Sequence, residues 1–459
     1  MKIIYKQNSK IAKIIPKRKC INGVKYKKTE YLTAVKYKDG YALFNTLTCE
    51  LLYLSQHEYD LFISYSLDFD SFKFMVEHNF YIPLDLDEQT LANQIFSIIE
   101  NLEKKYIKQK MFFFVILTTT GCNARCFYCF EKGAKVSTMT PQTAEDVADF
   151  VIKNAAKKIT IQWFGGEPLV NTKPIDIISQ RLKDANIEYK STMVSNGYLF
   201  DTATIKKAKE LWKLDRIQIT LDGTEEVYNK VKNYVYKNNN SPFKRVLNNI
   251  ELLLKSGIKV SIRLNIDKHN TEDLFNLSRL LVEKFNKYDN CHIYPSRIFG
   301  CKNCDQVNET IERHAIIEKV IELRNYFSEN MPTPKIEKLP KEKRLPVCMA
   351  CSDNATMIVP DGHLGKCEHF VDSDFYGSIY SDDYDVDKII RYKEKAIVSE
   401  ECKKCKYYVQ CMHLKCCSGA RTQCDDVEIR TLENDLSTKI TTICDTYFIE
   451  NENKEEKNE

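Results

Sequence analysis

Met111-Phe-Phe-Phe-Val-Ile-Leu117 is followed, after three threonines, by Gly121-Cys-Asn-Ala-Arg-Cys-Phe-Tyr-Cys-Phe130. The first stretch is a short apolar run, which predicts a buried strand. The second stretch places Cys122, Cys126 and Cys129 at C-x3-C-x2-C spacing. Three thiolates at this spacing can hold three irons of a [4Fe–4S] cluster and leave the fourth iron open to bind and reduce a small molecule. A loop just past a strand end is also where α/β barrels keep their catalytic residues.

Length and composition indicate a globular protein of more than one domain. The chain has 459 residues, 43% of them hydrophobic, which is enough for two or three packed cores. Its net charge of +4 gives no clear basic excess for binding nucleic acid. The charge is uneven, because residues 1–38 carry twelve Lys or Arg against one acid, Glu30. This segment is either a solvated basic face or a docking surface for an acidic peptide or protein.

The cysteine content and the lack of export signals point to the cytoplasm. Lys2 is followed by only Ile3 and Ile4 before polar residues resume, so no secretory signal is visible, and no run of 18 apolar residues could span a membrane. Disulfides are rare in the cytoplasm. The eighteen cysteines, ten of them between Cys348 and Cys444, are therefore expected to be metal ligands.

Sequence patterns divide the chain into five segments. We predict an N-terminal α+β region that could dock a peptide at 1–107, an α/β core at 108–300, a helical linker at 301–346, a cysteine-rich domain at 347–445 and a disordered charged tail at 446–459. Within the first segment, alternating residues around a Lys38-Asp39-Gly40 turn predict a hairpin from Tyr31 to Phe44. A helical period runs from Glu88 to Tyr106.

The α/β core alternates six candidate strands with five candidate helices. Candidate strands are 111–118, 158–164, 189–195, 216–221, 259–266 and 291–296. Candidate helices are 141–157, 174–186, 202–213, 242–256 and 272–286, the first with Thr140 as N-cap and Pro141 at its first turn. Such repeats predict a parallel sheet with right-handed crossovers. Six strands are too few to close an eight-stranded barrel, so we expect an open, partial (β/α)6 barrel.

Polar and glycine residues recur where successive strands end. The second strand ends in Gly165-Gly166-Glu167-Pro168, the third in Ser195-Asn196 and the fourth in Asp222, while the fifth carries Arg263 and Asn265. Paired glycines allow close backbone approach to a ligand. Open α/β sheets bind ligands at this end of their strands, so we expect these side chains to form one site.

These motifs resemble those of radical S-adenosylmethionine (SAM) enzymes with a C-terminal SPASM domain, the group that includes ribosomal-peptide maturases and anaerobic sulfatase maturases. The resemblance covers roughly residues 108–425. It implies that Cys122, Cys126 and Cys129 hold the cluster and that the Gly165–Pro168 motif binds the methionine amino group. It also implies ribose and methionine contacts, and a contact with the adenine. The residues expected to contact the ribose and the methionine are Ser195, Asn196 and Asp222, with Arg263 expected at the methionine carboxylate. Tyr128 is expected at the adenine, although it could equally be a core aromatic residue.

The resemblance also implies a reaction. One electron from the reduced cluster breaks a C–S bond of SAM, and the resulting 5′-deoxyadenosyl radical removes a hydrogen atom from a peptide, giving an oxidation or a crosslink such as a thioether. The cofactor supplies this chemistry and the protein supplies position and exclusion of water. The implied partners are a precursor peptide and an electron donor such as flavodoxin or ferredoxin. No nucleic acid and no membrane is expected as a partner.

The C-terminal cysteines follow the SPASM pattern up to Cys411, where the expected spacing to the next cysteine fails because residue 415 is Lys. By the resemblance, two auxiliary [4Fe–4S] clusters would be held by Cys348, Cys351, Cys367, Cys402, Cys405, Cys411, Cys424 and either Cys416 or Cys417. Cys444 competes with Cys424 for the last place. The Cys402-x2-Cys405 pair alone would favour zinc, but beside the Cys122 motif we favour iron–sulfur. Cys301 and Cys304 are interpreted as an accidental pair or a loop pair, with a ligand or a transient thiol as the alternative.

Glu368 directly follows Cys367. Sulfatase maturases carry an acid at the matching position, which acts as a base on the substrate, so the resemblance makes Glu368 a candidate catalytic residue. The alternative is a surface acid or an acid that merely lies beside a cluster. For the whole chain, sulfatase maturation (formylglycine formation) is the alternative enzyme function. A binding protein stabilised by zinc or clusters is the alternative outside enzymes.

Overall fold

The computed structural model describes residues 1–5, 15, 17–95, 97, 110–236, 241–267, 269–298, 310–332, 348–392, 400–408 and 426–455. The chain forms two compact units. The smaller unit comprises Met1–Ile107, Lys335–Cys348 and Lys395–Glu459, and the larger unit comprises Lys108–Pro334 and Met349–Glu394. The cysteine-rich segment predicted at 347–445 is therefore divided between the two units.

The N-terminal part of the smaller unit is an antiparallel sheet with two helices. Its elements are β1 (Lys2–Tyr5), β2 (Tyr26–Lys28), β3 (Leu32–Tyr37), β4 (Gly40–Asn45), β5 (Glu50–Ser55), α1 (Gln56–Ile63), α2 (Phe69–Glu77) and β6 (Tyr81–Pro83). The strand order β1-β5-β4-β3 places β3 at one edge, and β2 pairs with β6. Antiparallel pairing of β3 with β4 confirms the predicted hairpin. Residues 88–95 are helical, and most of the remainder of the helix predicted to Tyr106 lies outside the described residues.

The larger unit is built on one sheet covered by helices. Its elements are β7 (Met111–Thr119), α3 (Pro141–Asn154), β8 (Ala155–Gly165), α4 (Lys173–Asp184), β9 (Glu188–Ser195), α5 (Thr202–Glu210), β10 (Leu214–Leu221), α6 (Glu225–Lys232), α7 (Pro242–Lys255), β11 (Lys259–Ile266), α8 (Thr271–Phe285), β12 (Cys291–Arg297), α9 (Thr310–Asn330), β13 (Ala355–Ile358), β14 (His363–Gly365), β15 (Gly377–Ser378) and α10 (Val386–Arg391). The order β12-β11-β10-β9-β8-β7-β13-β14-β15 keeps the six predicted strands side by side and parallel. β12 ends the row, so the sheet is open, and the predicted partial (β/α)6 barrel is confirmed.

Several elements of this unit were not predicted, among them β13 and α6. β13 pairs parallel to β7 and extends the sheet beyond the expected six strands, because its four residues are buried and apolar enough to continue the β7 edge. Helix α6 is only eight residues long, too short for a clear helical period, but Glu225 and Glu226 in its first turn favour its N-terminus. Elsewhere the predicted helix start is confirmed, since the Thr140 side chain accepts the Thr143 N–H at 3.0 Å.

Alternating residues give the sheet two different faces. Ile161, Trp163, Ile217 and Ile262 are fully buried against the helices in the main core. The other face is apolar beside β7 and β13 but polar across β8–β12. Alternation of this kind follows from the two-residue period of a strand.

Two further helices belong to the smaller unit, α11 (Glu400–Lys404) and α12 (Asp426–Glu455). Ile440 and Cys444 of α12 are fully buried in a cluster with residues of the hairpin. Composition predicted disorder from residue 446, but α12 continues to Glu455. The reason lies in local contacts: Phe448 stacks on Tyr37 at 5.8 Å, and the Tyr37 hydroxyl donates to Asp445 at 2.7 Å. Residues 456–459 lie outside the described residues. None of the helices in the described part of the chain is both long and apolar enough to cross a bilayer.

Packing of α12 on the hairpin predicts a position-dependent loss of stability. Ile440 is 0% exposed and Ile449 on the same helix is 56% exposed. Ile440→Ala should lower the free energy of unfolding of the smaller unit by about 2–5 kcal/mol, because it leaves a cavity. Ile449→Ala should change it by less than about 0.5 kcal/mol. Chemical denaturation would measure both, and equal effects would contradict this packing.

Candidate functional site

The three-cysteine loop follows β7 at the C-terminal edge of the sheet. Two backbone hydrogen bonds fasten it to the end of α6 and the residues beyond: the Arg125 N–H donates to the Lys232 carbonyl at 2.8 Å, and the Val235 N–H donates to the Asn123 carbonyl at 2.9 Å. Cys122, Cys126 and Cys129 are all half-buried free thiols. No three His, Cys, Asp or Glu side chains in the described residues are already arranged to hold a metal ion.

The paired glycines bring the end of β8 against the start of this loop. Gly165 has φ +114°, and a Cβ there would lie 2.1 Å from the Thr119 carbonyl oxygen. A Cβ on Gly166 would lie 2.4 Å from the carbonyl oxygen of Gly121. Because these clashes are with backbone, no side chain can replace either hydrogen without moving the loop. The close approach that the sequence predicted is therefore made, in this structure, to the cysteine loop itself.

Glu167 ties the ends of β8 and β9 together. Its fully buried carboxylate accepts hydrogen bonds from the Ser195 hydroxyl at 2.9 and 3.1 Å, from the Asn196 N–H at 2.8 Å and from the Leu169 N–H at 3.1 Å. Burial raises the pKa of Glu167 to about 7, although these donors favour the charged form. Pro168 begins the 3₁₀ turn Pro168–Val170 directly after it.

Asn196 connects this network to the first cysteine. Its side-chain amide donates to the Asn123 Oδ1 at 2.7 Å and lies 4.0 Å from the Cys122 sulfur. The buried Nδ2 of Asn123 has no hydrogen-bond partner among the described residues. A buried amide N–H without a partner is costly, so this donor is available to a bound group.

Asp222, at the end of β10, is the centre of a second buried network. Its Oδ1 accepts from the Tyr128 hydroxyl at 2.8 Å and from the Asn265 amide at 3.2 Å, and its Oδ2 lies 3.0 Å from Lys232 Nζ. Lys232 also donates to the Tyr128 hydroxyl at 3.0 Å. Burial alone would lower the pKa of Lys232, but the attraction of Asp222 and Tyr128 raises it well above its ordinary value. The cation is thus held beneath the cysteine loop.

Lys232 and Asn123 were missed by sequence reasoning. A signal for Lys232 did exist, because it lies four residues after Tyr228 and so shares the buried face of α6 with it. A charged residue on a buried helix face needs a partner, and Asp222 is ten residues earlier. Asn123 gave no signal, since an amide between two cysteines is an ordinary loop residue.

Arg263 lies on β11, two residues before Asn265 and in register with Tyr294 of β12. Its Nε is buried and has no hydrogen-bond partner among the residues described. The structure therefore brings Arg263 toward the Asp222 network but joins it to none of the predicted site residues by a hydrogen bond.

A scan against family models matches residues 116–281 to the radical SAM superfamily. Residues 116–281 form a radical SAM domain. Curated relatives include the uncharacterized protein MJ0907 of Methanocaldococcus jannaschii (29% identical; 28% of this chain, 50% of the relative) and the radical SAM cyclopropyl synthase TigE of Paramaledivibacter caminithermalis (28%; 28% and 33%). The GTP 3′,8-cyclase of Clostridium perfringens is 26% identical, and the match covers 56% of this chain and 80% of the length of the cyclase. The chain matches half or less of the length of the M. jannaschii protein and of TigE.

Solved structures share the fold of the radical SAM domain. The structure of anSMEcpe with bound AdoMet and Cp18Cys peptide has a TM-score of 0.56 at 17% identity, covering 73% of this chain and 99% of its own. The structure of Streptococcus suis SuiB bound to precursor peptide SuiA has a TM-score of 0.50 at 15% identity, covering 85% and 95%. At these identities the likeness establishes the fold alone.

The segment that carries Cys367 and Glu368 lies along the cysteine loop of the radical SAM domain. The His369 ring packs 4.6 Å from that of Phe130, the residue after Cys129. Farther along, the Lys135 N–H donates to the Asp372 carboxylate at 3.4 Å. Cys367 is buried and Glu368 half-buried, with no hydrogen-bond partner for the Glu368 carboxylate among the described residues.

The remaining cysteines are only partly described. Cys351 ends a 3₁₀ turn in the larger unit, whereas Cys348, Cys402 and Cys405 belong to the smaller unit. Cys444 is fully buried in the apolar cluster of α12, where burial raises its pKa to about 12. The predicted ligands outside the described residues are Cys411, Cys416, Cys417 and Cys424, and the pair Cys301 and Cys304 lies outside them as well.

Loss of the Glu167 charge should loosen the radical SAM domain. In Glu167→Gln the amide N–H₂ must face a backbone N–H of Asn196 or Leu169, so a buried donor loses its acceptor. We expect the free energy of unfolding at neutral pH to fall by about 1–3 kcal/mol. The matched control is Glu210→Gln at an exposed position on α5. Chemical denaturation measures both, and identical curves would refute the bracing role.

The buried ion pair predicts a larger, non-additive effect. Lys232→Met leaves the Asp222 charge buried without its cation, which costs about 3–5 kcal/mol. Adding Asp222→Asn should recover part of that loss, since the charge itself is then removed. Lys244→Met breaks the exposed pair with Glu225 and should cost about 0–1 kcal/mol. Strictly additive effects of the two buried changes would count against the pair.

Proposed function

We propose that the chain is a radical SAM enzyme that modifies a ribosomally made peptide. The observation that carries this proposal is the cysteine loop of a radical SAM domain, fastened at the sheet edge beside two buried polar networks. The donor set fits an open [4Fe–4S] cluster, because three thiolates share one loop and the Nδ2 of Asn123 beside them has no hydrogen-bond partner among the described residues.

The cluster would be held by Cys122, Cys126 and Cys129, and SAM beside it by the Gly165–Pro168 turn, Ser195, Asn196, Asp222 and Arg263. When bound, this pair supplies one-electron cleavage of a C–S bond and hence a radical that removes hydrogen. The residues of the chain position and shield that chemistry.

The two buried networks keep the edge of the sheet rigid and dry. Glu167 holds β8 to β9, and Lys232 holds Asp222 and Tyr128 against the loop. Asp222 is 1% exposed and Glu167 is 0% exposed, so bulk water does not reach these charges. Exclusion of water protects a reactive radical from side reactions.

A peptide substrate is supported by two solved structures of similar fold, one of which is bound to a Cp18Cys peptide and the other to the precursor peptide SuiA. In the smaller unit, β3 lies at a sheet edge. An edge strand can accept a peptide by strand addition, so we assign leader docking to β3 and the basic residues around it. The eighteen cysteines suit a reducing compartment, and we place the enzyme in the cytoplasm.

Two auxiliary [4Fe–4S] clusters would accept the electron left on the substrate after hydrogen removal. Their proposed ligands are Cys348, Cys351, Cys367, Cys402, Cys405, Cys411, Cys424 and Cys416 or Cys417. Flavodoxin or ferredoxin is the proposed donor to the first cluster. The product that fits this oxidation is a crosslink such as a thioether.

Formylglycine formation is the second candidate, favoured by the place of Glu368 next to a residue that touches the cysteine loop. Glu368 would then take a proton from the substrate side chain. Mass spectrometry of the product separates the two reactions when the reacting residue of the peptide is cysteine. A crosslink removes two hydrogens, whereas formylglycine formation from cysteine removes the sulfur.

Cys126→Ala tests the proposal directly. The wild-type chain, purified without oxygen, should carry about twelve irons if three clusters are present, and the variant about four fewer. Reductive cleavage of SAM to 5′-deoxyadenosine should be abolished, while the absorbance of the auxiliary clusters remains. Cys20→Ala, outside the motif, is the control. Cleavage that persists in Cys126→Ala would refute the assignment.

A further inference from the structure

The face of the sheet away from the helices carries a cavity of about 380 Å³ in the larger unit. Side chains from five neighbouring strands line it, among them Gln162, Thr192, Arg216, Gln218, His292 and Tyr294. They lie in rows across the sheet, because Gln162 pairs in register with Thr192, and Thr192 with Arg216. Side chains of the strands, and not those of a loop, therefore form the described lining of the cavity.

The cavity carries positive charge that no acid balances. Neither Asp nor Glu is among its described lining residues, and Arg216 forms no ion pair with another described residue. Burial and the neighbouring Arg216 lower the pKa of His292, so its imidazole is neutral at pH 7. The free charge is thus that of the Arg216 guanidinium.

Neutral hydrogen-bond donors line the same cavity as this guanidinium. The Tyr294 hydroxyl donates to Gln218 Oε1 at 2.7 Å, which leaves the Gln218 amide N–H groups free to donate. The His292 ring stacks on that of Tyr294 at 5.5 Å and fixes its position. A planar guanidinium beside neutral donors matches the geometry of a carboxylate. Phosphate sites are more often built at helix N-termini, and strands alone form this cavity.

The cavity lies at a defined distance from the proposed site of reaction. Arg216 lies on β10, six residues before Asp222, which directly follows that strand; six residues correspond to about 20 Å at roughly 3.3 Å per residue. Arg263 lies between the two levels, with its Nε unpaired among the described residues. An extended peptide covers the same 20 Å in about six residues.

We propose that this cavity is a subsite for an acidic side chain of the substrate peptide, about six residues from the residue that reacts. The inference rests on the proposed peptide-modifying function and adds to it a charge requirement in the substrate. Arg216 supplies the bidentate contact, and Gln218 supplies a neutral donor.

The test uses the full chain with its clusters rebuilt and SAM present. The probes are two acetylated heptapeptide amides that carry Cys at one end and either Glu or Gln at the other. Calorimetry should show at least about tenfold tighter binding of the Glu peptide to the wild type. Arg216→Gln should reduce that preference to less than about threefold. Arg279→Gln, an arginine on the helix face of the domain, should retain it.

Equal binding of the two peptides, or no binding of either, would overturn the subsite, as would an undiminished preference in Arg216→Gln. Displacement of the Glu peptide by inorganic phosphate as effectively as by glutarate would show a general anion site and reject the carboxylate assignment. Circular dichroism melting checks that both variants fold. Reductive cleavage of SAM by the same wild-type preparation tests the proposed function separately. If the wild type cleaves SAM but shows no preference for the Glu peptide, only the subsite proposal is refuted.

Discussion

The larger unit depends on a close contact between two backbones. The end of β8 lies so near the start of the cysteine loop that Gly165 and Gly166 have no room for a side chain. That contact places Glu167 beneath the loop, where its buried carboxylate gathers donors from β9. A charge without solvent is stable only when it is fully hydrogen-bonded, so the contact and the network require each other.

The requirement that buried charges be paired also holds at the neighbouring strand end, that of β10. The buried charges of Asp222 and Lys232 neutralise each other out of contact with water. Tyr128, which lies between two cysteines of the loop, is hydrogen-bonded to both and so connects the pair to the loop. Buried polar groups of this kind cost stability when isolated but specify one geometry when all are paired. Beside such fixed groups, a half-buried thiol loop can close on a cluster without the rest of the edge having to rearrange.

Sequence periodicity predicted the six parallel strands and their helices, because each strand is buried on one face and each helix has a clear apolar stripe. The positions of the strand ends also predicted that the polar residues following them lie together at the C-terminal edge of the sheet. Lys232 was overlooked, although its place one turn after Tyr228 on the buried face of α6 was a usable signal, and β13, a strand of four residues, was missed. The helical end of α12 was predicted as disordered, since composition does not report the contact of Phe448 with Tyr37.

The pairing of β13 with β7 has a consequence for biosynthesis. Ala355 meets Phe113, so about 240 residues must emerge from the ribosome before the strand that leads to the cysteine loop gains its second neighbour. At roughly 5–20 residues per second, that delay is on the order of tens of seconds. Throughout this interval β7 exposes an unpaired apolar edge, the kind of surface that recruits other nascent strands and invites chaperone binding.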